Sequence, residues 1–189
     1  MGVDKVIIYP CGGIGLHVSC VTRLAGYILE EELLKRDVEI LDMHRLIRGM
    51  TDEVELMETY PTIILDGCAH QCGSYLFRLL EIKPAVRIYI PDIISETGLF
   101  PGRARKVLEE SGQRLSAEIA QRTARIVKGM RESSNYHYQP QQIQAQGLVL
   151  CDYEVDVEEA LGYVKIASGI YRPKEMNSLP GFEEKGNQI

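Results

Sequence analysis

Three short apolar runs in this chain each lead directly into a cysteine. Val6-Ile7-Ile8-Tyr9 passes through Pro10 to Cys11, Ile63-Ile64-Leu65-Asp66-Gly67 to Cys68, and Leu148-Val149-Leu150 to Cys151. Runs that are apolar at successive positions belong to strands covered on both faces, as in a parallel sheet. Between them stand helical patterns. Residues 20–35 place Val21, Leu24, Ala25, Ile28 and Leu29 on one face, with Ser19 as the expected N-cap. Strands are expected at 5–9, 38–43, 62–65 and 86–90. Helices are expected at 51–60, 70–80 and 102–131, the last with Val107, Leu108, Leu115, Ile119, Ile126 and Met130 as its apolar stripe. This alternation predicts an α/β fold: a doubly wound, mainly parallel sheet of Rossmann-like or flavodoxin-like type, order 2-1-3-4, with flanking helices. In such a sheet the carboxyl ends of the strands share one edge, and ligands bind there. Sulfurs distant in sequence would therefore meet at one crevice.

Composition narrows the function classes. With 189 residues, 45 % hydrophobic and 25 % charged, the chain has globular proportions. A net charge of −6 argues against general nucleic-acid binding, which needs a basic face to neutralise phosphates. No apolar run approaches the ~20 residues of a membrane span. The opening Met-Gly-Val-Asp-Lys lacks a signal peptide's apolar segment, and Val6 stands where a myristoylation motif wants Ser or Thr. The expectation is a cytoplasmic protein, where five cysteines serve as ligands, reactive thiols or core fillers rather than disulfides. Four regions are expected: an α/β unit at 1–131, a Gln-rich linker or loop at 132–147, a strand–helix extension at 148–171 with Asp156 as helix cap, and a flexible tail at 172–189.

The segment Asp66-Gly67-Cys68-Ala69-His70-Gln71-Cys72 carries the densest chemistry. If a helix starts near Ala69, Cys68 and Cys72 form an i, i+4 pair at a helix N-terminus, where the dipole favours thiolate. The pair reads as metal ligands or reactive thiols, against the plainer reading of two small core hydrophobes. The loop from Cys11 to Cys20, Cys-Gly-Gly-Ile-Gly-Leu-His-Val-Ser-Cys, has the glycines of a phosphate cradle but no Lys-Ser/Thr pair. It has no arginine at the spacing of a phosphatase loop either, since His17 occupies that place. A thiolate ligand loop suits it best. His17, His44, His70 and His137 stand alone in sequence, where surface or supporting roles outweigh direct ligation for each, and His70, between Cys68 and Cys72, is the best ligand candidate of the four.

Taken together, Cys11-Gly-Gly-Ile-Gly, Val21-Thr22-Arg23, Asp66-Gly67-Cys68 and Cys72 resemble the DGC-domain family, named for that tripeptide and described as zinc-binding. The likeness runs over about residues 5–130. Family members carry Pro-Cys-Ser-Gly-Ile-Gly in the first motif, so Gly12 here replaces a serine, and Cys20 is a departure from the pattern. The resemblance implies metal binding by cysteines and supplies no reaction. The expected ligands are Cys11, Cys68 and Cys72, with Cys20 as fourth and Cys151, His70 or solvent as alternatives; Asp66 and Arg23 would orient the loop around them. Soft thiolates in a tetrahedral array suit zinc, with an iron–sulfur cluster as the competing cofactor. Two rival readings remain: a thiol enzyme or sulfur/redox carrier using Cys68 and Cys72, and a module that binds phosphate or a nucleotide through the glycine loop.

Overall fold

The computed structural model describes residues 3–13, 16–47, 50–104, 106–133, 135–141, 162–176, 178 and 180. Strand β1 (Val6–Pro10) is followed by α1 (His17–Tyr27), which continues without a break into π-helical turns at Ile28–Leu33, and then by β2 (Val38–Ile40). Two helices, α2 (Met43–Ile47) and α3 (Thr51–Thr59), precede β3 (Thr62–Asp66) and α4 (Cys72–Leu79). Then come β4 (Val86–Tyr89), α5 (Ile90–Thr97), the long α6 (Glu110–Glu132), and a hairpin of β5 (Tyr163–Ala167) and β6 (Ile170–Pro173). The first four strands are parallel and stand in the expected sequence, but the sheet is larger: its order is β2-β1-β3-β4-β6-β5. Strands β6 and β5 join antiparallel, so the sheet is mixed.

Successive strand residues serve opposite faces. Val6, Ile8, Ile63, Leu65, Val86 and Ile88 pack with Val21 and Ala25 of α1, Ile93 of α5, and Leu115, Ile119 and Val127 of α6. Ile7, Tyr9 and Ile64 face the other layer, built from Met57 of α3 and Leu76 and Phe77 of α4. Burial on both faces is what made β1 and β3 continuous apolar runs. Among the described residues, no helix is long and apolar enough to cross a membrane.

Several expected boundaries move. The helix expected over 102–131 begins only at Glu110. Ser19 lies inside α1 rather than capping it, because its hydroxyl reaches back to the carbonyls of Gly13 and Leu16 (2.6 Å to the latter). Helix α4 starts at Cys72, not near Ala69: Gln71 adopts a left-handed backbone (φ 49°) just before it. Cys68 is therefore in the preceding turn, and the two cysteines are not an i, i+4 pair. The largest correction is at 163–171, where a strand–helix extension was expected and the hairpin stands instead. Tyr163, Ile166, Ile170 and Tyr171 are its buried positions, and Gly169 (φ 69°) makes the turn. Arg172 and Pro173, expected in the tail, belong to β6, and Met176 packs on the core. In the expected linker, Tyr136 is buried and Gln141 exchanges hydrogen bonds of 2.8 Å with the Lys83 backbone. The expected strand at 148–150, Cys151 and the cap at Asp156 lie outside the described residues.

Candidate functional site

The cysteine edge is assembled from the ends of β1 and β3. The Cys11 N–H donates to Leu65 O at 3.0 Å, carrying the β1–β3 pairing one residue past the strand. From the other side Thr22 of α1 donates its hydroxyl to Cys11 O at 3.3 Å, while Ser19 closes on the Gly13 carbonyl. Both hydroxyls are fully buried. Ser19 and Thr22 thus fasten the first cysteine loop to the helix that follows it.

Each member of Asp66-Gly67-Cys68 has a separate job. A Cβ on Gly67 would come within 3.3 Å of Cys11 Sγ and 3.2 Å of Val18 Cγ1, so glycine lets the end of β3 lie against the first thiol. Asp66, 1 % exposed, accepts from Arg87 Nε at 3.0 Å and from the Ser74 hydroxyl. Arg87, fully buried in β4, also donates to Gln71 Oε1 at 2.7 Å, and its guanidinium carbon lies 4.8 Å from the ring centroids of both Tyr89 and Tyr171. An ion pair so enclosed holds only because its hydrogen bonds are nearly complete. It fixes the backbone on both sides of Cys68: Asp66 before it and Gln71 after it. Cys68 Sγ itself lies 3.4 Å from His70 Nδ1, within hydrogen-bond range for sulfur.

The Cys11 and Cys68 thiols both lie near enough to Cys72 to act on its charge. Burial pushes the Cys72 thiol up from its ordinary value, and the neighbouring thiols of Cys11 and Cys68, then the Asp66 carboxylate, push it further. Tyr9 lies near Cys11 and Cys72. Burial raises its hydroxyl well above the ordinary value, helped by Asp66, Cys11, Cys72 and Asp42, so it remains a proton donor. Yet that hydroxyl, on a residue 1 % exposed, has no hydrogen-bond partner among the described residues. Gly73 lets helix α4 sit down on this layer: a Cβ there would be 2.7 Å from Ile64 Cγ2 and 3.1 Å from both Asp66 Oδ1 and Tyr9 Cε1.

The fourth expected ligand, Cys20, has its own surroundings on α1, where its sulfur accepts from Arg23 Nη2 at 3.3 Å. His70 is exposed beside Cys68, His44 is 3.6 Å from Asp42, and His17 and His137 touch none of the cysteines in a hydrogen bond among the described residues. None of Cys11, Cys20, Cys68 and Cys72 is in a disulfide. Among the described residues, no three His, Cys, Asp or Glu side chains already stand close enough together to hold a metal ion. The donor types suit a soft metal, but the side chains are not closed around one. Sequence reasoning missed Arg87, Ser74 and Tyr9. For Arg87 a signal was present: a lone cation inside the strand Val86-Arg87-Ile88-Tyr89, where only a buried counter-charge makes sense.

No curated protein and no solved structure matches this chain. The sequence profile of the family described as DGC domain does, over residues 7–119, which is more than half of its length and excludes the hairpin. That span holds Cys11 and Cys68 at the ends of neighbouring strands and the helix that ties the first of them in place, and on this match the chain belongs to the DGC-domain family.

Proposed function

We propose that this protein binds a metal ion, zinc by the chemistry of the donors, through the thiolates of Cys11, Cys68 and Cys72, with Cys20 as the fourth donor. The supporting observation is that Cys11 and Cys68 end the neighbouring strands β1 and β3 and that both thiols lie near enough to Cys72 to raise the cost of ionising it. A divalent cation relieves that repulsion and turns it into attraction. Zinc suits four soft donors in a tetrahedral site, where its contribution would be structural or would activate a bound solvent molecule if one donor is absent. Closing the site needs rotation of the thiol side chains. The buried Asp66–Arg87 pair would keep the 68–71 turn anchored meanwhile. The reading places the protein in the reducing cytoplasm, where thiols stay available to metal.

The test is elemental analysis and absorption spectroscopy on anaerobically purified protein, followed by titration of the metal-free form with Co²⁺. One metal per chain and thiolate-to-cobalt charge-transfer bands are expected. Cys11→Ser, Cys68→Ser and Cys72→Ser should each remove most of the metal, because water replaces a charged soft donor. Protein with only trace metal that takes up none would end the metal reading. A brown protein would replace zinc with an iron–sulfur cluster. The thiol-enzyme reading, with Cys68 as nucleophile and Cys72 as resolving thiol, loses the helix N-terminus it invokes, since Cys68 lies in the turn before α4.

A further inference from the structure

On the far side of the Cys11 loop, at the carboxyl ends of β1 and β2, lies a cleft of about 290 Å³ lined by Gly12, Arg23, Tyr27, Ile40, Asp42 and Met43 among others. This is the sheet edge at which α/β folds bind ligands, and a volume at the small end of ligand pockets. Its two formal charges are arranged unusually. Arg23 is half-buried and forms no ion pair with a carboxylate among the described residues; its one hydrogen bond goes to the Cys20 thiol through Nη2. Asp42, exposed at the rim, uses Oδ1 to receive the N–H groups of His44 (2.8 Å) and Arg45 (3.4 Å) at the start of α2 and lies 3.6 Å from the His44 ring, which also lines the cleft, whereas Oδ2 has no hydrogen-bond partner among the described residues. The two charges share the cleft without meeting each other. Arg23 is the half-buried charge that a carboxylate would satisfy, and the free Oδ2 of the more exposed Asp42 offers an acceptor on the same cleft.

The apolar part of the lining tells what else the occupant carries. Tyr27, 49 % exposed, presents its ring, and Ile40 and Met43 add aliphatic surface. Gly12 keeps the opposite wall low: a Cβ there would be 2.7 Å from Met43 Cε.

We propose that this cleft binds a free α-amino acid with a small apolar side chain, its carboxylate on Arg23 and its ammonium on Asp42. Guanidinium pairs with a carboxylate through parallel N–H donors; Nη2 of Arg23 carries two, so while one serves Cys20 the other can form that fork together with Nε or Nη1. Oδ2 of Asp42 accepts from the ammonium, and the side chain lies along Tyr27, Ile40 and Met43. No covalent step is involved, and the assignment does not depend on a bound metal.

The experiment is calorimetric titration of chelator-treated full-length protein with L-leucine, which carries no sulfur to complicate the thiol edge. Two matched analogues serve as controls: 4-methylpentanoate, lacking the ammonium, and 3-methylbutylamine, lacking the carboxylate. Leucine should bind with Kd about 1 mM or tighter, and each analogue at least about tenfold more weakly, the loss of one charge-assisted hydrogen bond. Arg23→Gln and Asp42→Asn should each weaken leucine by a similar factor; asparagine retains the Oδ1 acceptor that α2 needs, and thermal melts establish that both variants are folded. If a variant does not fold, the analogue comparison on wild-type protein decides alone. Absence of leucine binding overturns the proposal, and so does binding no stronger than that of its one-charge analogues or unaltered in both variants.

Discussion

Replacing Asp66 by asparagine is the sharpest test of how this edge is held. In the wild type Arg87 is enclosed by Asp66 at 3.0 Å, Gln71 at 2.7 Å and two tyrosine rings at 4.8 Å, with side-chain exposure of 1 % on both members of the ion pair. Asp66→Asn keeps the volume and an acceptor for the Ser74 hydroxyl but leaves a guanidinium buried without its counter-charge. Breaking one side of such a pair costs about 3–5 kcal/mol, more than the pair's net contribution relative to an apolar substitute. Arg87→Met should cost a comparable amount, for it strands the carboxylate. The double variant Asp66→Asn/Arg87→Met should recover a large part of the loss, since neither charge is then buried alone; the expected coupling is about 2 kcal/mol. For a chain of this length the single variants correspond to a fall in melting temperature of about 10 °C. Urea denaturation with chelator present reads this without interference from metal. If both single variants lose less than about 1 kcal/mol, or if their losses simply add, the pair is not the anchor described here.

Other outcomes follow from contacts around the same edge. Gly73→Ala places a methyl 2.7 Å from Ile64 Cγ2 and should cost about 1–3 kcal/mol in urea melts, whereas Gly12→Ala meets only the flexible tip of Met43 and should stay within about 0.5 kcal/mol. Equal effects at the two sites would contradict the packing. Tyr9→Phe removes a buried hydroxyl that has no hydrogen-bond partner among the described residues, so metal-free protein should be as stable or more stable; a loss above about 1 kcal/mol would reveal a partner for that group. Asp92 holds the hairpin to the start of α5. Burial would raise its carboxyl, but Lys165 (2.5 Å), the Tyr171 hydroxyl (3.0 Å) and the Gly169 N–H (3.2 Å) outweigh that and hold it below the ordinary value. Its contribution is therefore present above the usual carboxylate range and lost as pH falls through the depressed folded value, below about pH 4. Stability curves of wild type and Asp92→Asn should converge there and separate at neutral pH; parallel curves would refute the linkage.

The parallel half of the sheet was legible because its physics is local. Residues 6–9 and 62–65 are buried on both sides, so they are apolar at every position, and the glycines and cysteines after them mark where the backbone turns out of the sheet. The hairpin was harder to see. Tyr163-Val-Lys-Ile-Ala holds one aromatic and one charged residue at alternate positions and its burial does not alternate cleanly, a weak pattern that a capping motif upstream made look helical. Its strand identity depends on Tyr171 finding the Arg87 guanidinium and Ile170 pairing with Ile88, contacts more than eighty positions away.

The sequence alone determined the α/β class and the two buried strands that lead to Cys11 and Cys68, since each follows from short-range patterns of burial and turn residues, whereas the sheet order is β2-β1-β3-β4-β6-β5 rather than the 2-1-3-4 expected. Family membership was readable there too, in motifs spaced by strand and helix lengths. Tertiary structure decided the rest. It turned the expected i, i+4 cysteine pair into a turn followed by a helix start, because Gln71 is held in a left-handed conformation beside Arg87. It gave Asp66 a buried counter-charge from the next strand, and it placed Arg23 and Asp42 on one cleft from elements nineteen residues apart. Such features arise where side chains from separate strands and helices meet in a low-dielectric interior, and no local pattern encodes which charge will face which.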